Sequence, residues 1–312
     1  MALNKLVILV GGVGGAKLAH GLAQLYDENL TVIVNTGDDF EYYGLHVSPD
    51  LDTLMYTLSG HVNRANGWGL EDDTRMMLEM LRTYGEDGWF GVGDRDIATH
   101  LLRTQALRQG ERLTTITQGL TKRLGISQTI LPMTDQPVRT MIDTETHGAL
   151  EFQEYFVKHR WQPVVQSIQY RGIEEATISP EVQYAIETAD AILVGPSNPW
   201  LSIEPILAIP RMRDLIKSRS VPRVALSPIV DGKAIKGPAA KIMGELGYEI
   251  SSRTVADYYG EVINGYVYDV RDQGEKPFVN ALITFDTIMN TEQDRIVLAE
   301  NILRWIESRQ FT

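Results

Sequence analysis

The stretch Lys5–Leu18, KLVILVGGVGGAKL, decides how the rest of the chain is read. Leu6 to Val10 is an apolar run long enough for one buried strand and far too short for a membrane span. It runs straight into Gly11, Gly12, Gly14 and Gly15, and then into a helical pattern of Ala16, Leu18, Ala19, Leu22 and Leu25. Strand, glycine turn and helix together form a phosphate-binding βα unit. Glycines let the backbone approach an anion, and a helix N-terminus offers free N–H groups and partial positive charge.

The turn departs from two known fingerprints. A dinucleotide loop of the G-x-G-x-x-G type needs glycine where Lys17 stands, and a Walker A spacing is absent. Lys17, expected in the first helical turn, can add a point charge to a diphosphate; the plainer reading is a tight turn beside a solvated lysine.

Working outward, Leu30 to Val34 reads as a second buried strand ending in Asn35-Thr36-Gly37-Asp38-Asp39. That is the carboxyl edge where open α/β sheets hold ligands. Ser48 and Pro49 read as N-cap and first residue of a helix whose Leu51, Leu54, Met55 and Leu58 share one face, with Gly60 as its stop. Three helices are expected in 74–84, 96–109 and 114–124, with no strand in residues 61–126. Strands are expected again at 128–131, 138–143, 150–152 and 164–170, with a short helix at 153–160. The second half repeats the βα logic at Ala191–Val194, before Gly195-Pro196-Ser197-Asn198, and at Pro222–Leu226, before Ser227. A helix through Leu246, strands at 267–270 and 282–285, and an amphipathic helix over 292–306 complete the pattern. The fold class is therefore α/β, a Rossmann-like, largely parallel sheet with helices on both faces. Residues 1–60 and 127–312 form the nucleotide-binding domain, and 61–126 a helical insertion contributing to the acceptor site.

The 312 residues suffice for a large core. A net charge of −12, from 29 basic and 41 acidic residues, argues against duplex nucleic acid as a partner. With no cysteine, thiol nucleophiles and thiolate metal sites are excluded. No signal peptide or membrane helix is visible, so a cytoplasmic location is the expectation.

Asp38, Asp39, Asp50 and Asp52 crowd the mouth after the second strand. Two or three of them suit Mg²⁺, which binds a few carboxylates and leaves positions for phosphate oxygens. The competing reading is helix-dipole complementation by Asp50 and a solvated turn at Asp38-Asp39. Arg95 either faces a phosphate or carboxylate, or pairs outward beside the helix-capping Asp94 or Asp96. His100 shares a helical face with Asp96, without assigned chemistry. Thr134, Ser197, Asn198, Ser227 and Lys236 lie in strand-end turns or at a helix start, where ordinary turn chemistry competes with ligand binding.

Taken together, GGVGGAKL from Gly11, NTGDD from Asn35, SPDLDT from Ser48, GDRD and ATHLLR to Arg103, LPMTDQPV from Leu131, QEYFV from Gln153, GPSNPWLSIEPIL from Gly195 and SPIVDGKAIKGPAAKIM from Ser227 resemble the CofD family. These are the 2-phospho-L-lactate transferases of coenzyme F420 biosynthesis and their bacterial counterparts. The resemblance implies transfer of a phosphorylated three-carbon acid (2-phospholactyl, enolpyruvyl phosphate or phosphoglyceryl) from a guanylyl-activated donor to the deazaflavin Fo. GMP would be released, and F420-0 or its dehydro form would be the product. It further implies Mg²⁺ on Asp38, Asp50 or Asp52, a homodimer, and a functional link to a guanylyltransferase. Catalytic roles fall on Asp50, Asp52 and Arg95. Gly11, Gly12, Gly14, Gly15, Lys17, Asn35, Ser197, Asn198, Ser227 and Lys236 would hold the nucleotide, and Asp52 and Thr134 would lie near Fo. Family members commonly carry a basic residue where Gly91 stands, a departure that bears on the Fo contact. The alternative is a regulatory UDP-sugar binder of the related gluconeogenesis-factor type, which shares the glycine loop.

Overall fold

In a computed structural model, residues 3–272, 279, 281–309 and 311 are described. Strand β1 (Leu6–Val10) is buried throughout and enters α1 (Gly12–Ala23), which returns to β2 (Leu30–Val34). A hairpin of β3 (Phe40–Tyr42) and β4 (Leu45–Val47) leads to α2 (Pro49–Leu58), α3 (Met76–Thr83), α4 (Asp96–Arg108) and α5 (Leu113–Arg123). Next come β5 (Thr129–Pro132), β6 (Arg139–Thr144), β7 (Gly148–Glu151), β8 (Val165–Arg171) and α6 (Pro180–Thr188). Beyond them lie β9 (Ala191–Val194), the short α7 (Glu204–Leu207), α8 (Met212–Lys217) and β10 (Arg223–Leu226). A two-residue hairpin, β11 (Ile229–Val230) and β12 (Lys233–Ala234), precedes α9 (Ala239–Glu245) and α10 (Ser252–Tyr259). The chain closes with β13 (Gly265–Asp269), β14 (Ala281–Phe285) and α11 (Glu292–Glu307).

Seven strands form one parallel sheet in the order β14-β13-β10-β9-β1-β2-β5. From β5 inward this is the doubly wound Rossmann order, in which strand order reverses between β1 and β9. Leu6, Ile8 and Val10 face a core completed by α1, α2, α5 and α11; Val7 and Leu9 face a second core under α6 to α10. Burial on both faces explains why β1 and β9 read as unbroken apolar runs. Strands β7-β6-β8 form a separate antiparallel sheet. Helix α5 places Leu113, Ile116 and Leu120 in the first core, whereas α3 rests Leu78 on a smaller cluster with Phe40, Tyr42 and Val92.

Some expected elements differ in detail. The helix of 153–160 is a single wide turn, Glu154–Lys158, ended by left-handed backbone at Arg160 and Trp161. Helix α1 starts at Gly12, so Lys17 is its sixth residue and lies beyond the first turn. Ser48 occupies the N-cap position of α2, but its hydroxyl donates to Asp39 at 2.7 Å instead of capping. Helices α6 and α10 were not anticipated, although Ser179 and Ser251 accept the N–H groups of Val182 and Thr254 as ordinary N-caps.

Helices α1 and α11 touch so closely that a Cβ on Gly21 would overlap the Arg295 carbonyl oxygen. Gly21→Ala should therefore cost about 1–3 kcal/mol by overpacking, seen as a lower urea midpoint with unchanged slope.

Candidate active site

The loops after β1 and β9 meet where strand order reverses, and four segments close on them. The Ser197 hydroxyl donates to the Gly11 carbonyl (2.7 Å) and accepts the Gly11 N–H (3.3 Å). The Gly12 N–H donates to one oxygen of Asp50 (2.7 Å), and the Asn35 amide donates to the other (3.0 Å). Asn35 Oδ1 accepts the Gly37 N–H at 2.8 Å, which orders the turn carrying Asp38 and Asp39. The glycines are needed for this packing: a Cβ on Gly14 would stand 2.5 Å from the Pro196 carbonyl oxygen, and one on Gly15 2.7 Å from the Ser197 hydroxyl. Gly12 is different. Its φ is +64°, and nothing lies within 4 Å of where its Cβ would be, so the backbone there opens onto free space.

All four aspartates are buried, but their partners differ. Asp39 accepts the Ser48 hydroxyl and faces His46 Nε2 at 2.9 Å through one oxygen, while its other oxygen is buried without a partner. Both oxygens of Asp52 are taken by the guanidinium of Arg103, whose residue is 1% exposed. His100 stands 3.6 Å from Asp52 and 3.4 Å from Asp96, and the Tyr56 hydroxyl donates to Asp96 at 2.6 Å. Among the described residues, Asp52, Asp96 and His100 have ligand atoms within metal-binding spacing of one another. Arg103 already supplies a cation there.

Among the described residues, Asp38 and Asp50 have no cationic partner. Burial, then the charge of Asp50, pushes the Asp38 carboxyl well above the usual range, and Asp38 Oδ1 is a buried acceptor without a donor. Burial pushes Asp50 up to about 6, against the bonds from Asn35 and Gly12, with Asp39 adding repulsion. The metal-free folded state thus keeps a proton that the unfolded chain releases near pH 3.8. The contribution of this one group should be whole below that value and fall by about 3 kcal/mol as pH rises through 6, a change read by comparing thermal melts of wild type and Asp50→Asn in chelator across that window.

The other expected site residues are placed as follows. The Asn198 side-chain oxygen caps the turn at Trp200 and Leu201, leaving its buried Nδ2 without an acceptor. Ser227 is bound within its own turn to Ile229, and the Thr134 hydroxyl to Gln136 and the Thr177 carbonyl. The Arg95 guanidinium donates to the Glu71 carbonyl at 2.9 Å. Lys17 donates to the Met289 carbonyl at 2.6 Å, and the exposed Lys236 reaches toward Asn66. At Gly91 the Arg75 guanidinium stands 3.4 Å from where a Cβ would be. Sequence reasoning passed over Arg103 and His46, and left His100 without a role. The spacing of Asp96, His100 and Arg103 on one face of α4 was the available signal.

A cleft of about 320 Å³ reaches Asp39 and is lined also by Thr36, Glu41, His46, Thr104, Leu107, Arg108, Leu113, Gln136, Val138 and Arg139, among others. It runs from the loop after β2 to α4.

Residues 6–296 match the sequence model of the family described as 2-phospho-L-lactate transferase CofD. The chain belongs to the CofD family. It is 40% identical over 304 residues to the 2-phospho-L-lactate transferase of Methanosarcina mazei, spanning 96% of this chain and 99% of that one. It is 44% identical over 283 residues to the phosphoenolpyruvate transferase of Streptomyces griseus, spanning 89% of each. A crystal structure of a UPF0052-family protein from Bacillus halodurans covers 97% of this chain and 99% of its own, with a TM-score of 0.61 at 16% identity, a likeness of fold. The membership that the ordered motifs suggested is thus shown, and so is the Rossmann-like sheet. No helix among the described residues is long and apolar enough to cross a membrane.

Proposed function

We propose that this CofD-family chain transfers a phosphorylated three-carbon acid from a guanosine diphosphate-activated donor to the deazaflavin Fo. The products are F420-0 or dehydro-F420-0 and GMP. The observation that carries the reading is the buried, cation-free pair Asp38 and Asp50, tied through Gly12 to a glycine turn at the switch point of the sheet. Two uncompensated carboxylates beside a phosphate-binding turn are costly to the fold and suited to a divalent ion.

The donor's diphosphate lies over Gly12, where the backbone is open, and the Nδ2 of Asn198, which has no acceptor among the described residues, serves as a further donor to it. The acceptor's polyhydroxyl chain enters the cleft beside Asp39, among the polar side chains of Thr36, Thr104 and Gln136. Its terminal hydroxyl attacks the phosphorus bearing the acid, forming a phosphodiester as the phosphoanhydride breaks and GMP departs. The unpartnered oxygen of Asp39 takes the hydroxyl proton, while Ser48 and His46 hold its other oxygen in place. Mg²⁺ fits the hard oxygens of Asp38 and Asp50 and, when bound, supplies charge neutralisation to the diphosphate. The Arg103 pair sets Asp52 apart as support for α2.

The test is incubation with Fo, GTP, Mg²⁺ and the partner guanylyltransferase, supplying each phosphorylated acid in turn and weighing the deazaflavin. A mass gain equal to one phosphorylated acid less one water is expected with one of them. No adduct with any acid, together with thermal protection by UDP-sugars and not by GDP, would replace this reading with the regulatory one.

A further inference from the structure

Strands β3 and β4 form a two-stranded hairpin joined by Tyr43 and Gly44, whose positive φ angles make a tight two-residue turn. Among the described residues no third strand extends this hairpin, so the outward N–H and carbonyl groups of β4 need partners elsewhere. Helix α4 supplies them. Thr104 Oγ1 accepts the His46 N–H at 2.7 Å, Arg108 donates to the Gly44 carbonyl at 2.8 Å, and Arg103 reaches the His46 carbonyl at 3.5 Å. Thr104 and Arg108 stand one helical turn apart, so one face of α4 grips the hairpin.

Thr104 makes the shortest of these contacts, and its own orientation is fixed. Its hydroxyl donates to the His100 carbonyl, one turn earlier in α4, at 2.6 Å. A hydroxyl has a single proton, so toward His46 it can only accept. The residue is 6% exposed. From there the contacts lead to Asp39. His46, held at its backbone, places Nε2 2.9 Å from Asp39 Oδ2, and the Ser48 hydroxyl donates to the same oxygen at 2.7 Å. Asp39 Oδ1 stays buried without a partner. A carboxylate turns readily about its last torsion, which is broad and roughly two-fold. Two partners on one oxygen therefore select which oxygen is offered to a reacting proton.

We infer that Thr104 is a positioning residue for proton removal from the acceptor: it fixes His46, and His46 holds Asp39 with Oδ1 free. The inference rests on the reading above in which Asp39 takes the hydroxyl proton. Thr104 itself touches no reacting atom. Without its oxygen the His46 N–H loses its acceptor, the hairpin shifts on α4, and the imidazole no longer holds the carboxylate in one orientation.

Full-length Thr104→Val, Thr104→Ser, His46→Leu and the double variant Thr104→Val with His46→Leu are compared with wild type in two measurements. One is the rate of deazaflavin product formation; the other is NMR of the histidine ring N–H groups, His46 being one of six histidines. Thr104→Val should lower kcat about tenfold with the acceptor's KM little changed, and should abolish a slowly exchanging His46 Nε2–H signal seen in wild type. Thr104→Ser, which keeps the hydroxyl, should restore both. The double variant should be no slower than His46→Leu, since Thr104 acts only through His46. Thr83→Val, which removes a hydroxyl bonded to the Glu79 carbonyl of its own helix α3, should match wild type. If Thr104→Val does not fold, Thr104→Cys, a weaker acceptor of similar size, takes its place.

A lowered melting point with kcat and ring signal unchanged makes Thr104 merely structural and overturns the inference. So does a raised acceptor KM at unchanged kcat, which marks direct contact with the acceptor, and so does a double variant slower than His46→Leu. If wild type forms no product from any acid while the ring signal is lost in Thr104→Val, the transfer reading fails and the hold of Thr104 on His46 stands.

Discussion

Replacing Arg103 by methionine is expected to cost about 3–5 kcal/mol of folding stability. Arg103 is 1% exposed and its guanidinium binds both oxygens of Asp52, itself 4% exposed. Taking both charges out of water is expensive, and the pair repays this through its fork geometry and through flanking contacts with the His46 carbonyl and His100. Methionine matches much of the arginine stem but leaves Asp52 buried and unpaired. The loss is a large fraction of the stability of an ordinary domain, so urea unfolding will resolve it. The double variant Arg103→Met with Asp52→Leu should recover most of it, because removing both charges removes the stranded one. A single variant as stable as wild type would mean that Asp52 is neutralised by something other than Arg103.

Asp50→Asn is expected to leave the metal-free fold at least as stable as wild type while lowering turnover about 100-fold or more. The charged Asp50 is a burden to the metal-free protein, since burial holds its pKa near 6. An amide removes that burden but accepts from only one of the two donors, Gly12 N–H and Asn35 Nδ2, that the carboxylate serves. The gain and the loss offset, so the metal-free variant at pH 8 should melt no lower than wild type. Turnover should still fall steeply, because the site keeps only one of its two cation-free carboxylates. Melting curves in chelator and deazaflavin product formation at saturating Mg²⁺ measure the two effects separately. Turnover close to wild type would remove Asp50 from the reaction. Loss of turnover without loss of stability is the mark of a residue retained for function and not for the fold.

Asp52 shows where the linear reading stopped. Together with Asp38 and Asp50 it formed one acidic cluster, and spacing offered no way to distinguish the three. Arg103 lies 51 positions further along the chain, and its pairing with Asp52 arises only when α4 packs beside the β3–β4 hairpin. A change at Asp52 therefore strikes stability as well as any chemistry. Lys17 is similar. Proximity to the glycine turn suggested a phosphate contact, whereas its ammonium reaches Met289, 272 residues away.

What the chain order did determine is the βα frame: a buried β1, a glycine turn, α1, and the polar turns at the ends of β2 and β9. These follow from local physics, since apolar runs, glycine freedom and helix periodicity are all expressed within a few residues. The motifs in their order were also enough to indicate the CofD family. Only the tertiary structure decided which carboxylates carry a partner and which stand exposed to a ligand's charge. Partnership between buried charges is set by contacts across the fold, and desolvation makes each such contact decisive. At KLVILVGGVGGAKL itself the division is plain: the sequence determined that the backbone turns there, and the fold decided that Gly12 alone opens onto the space beside Asp50.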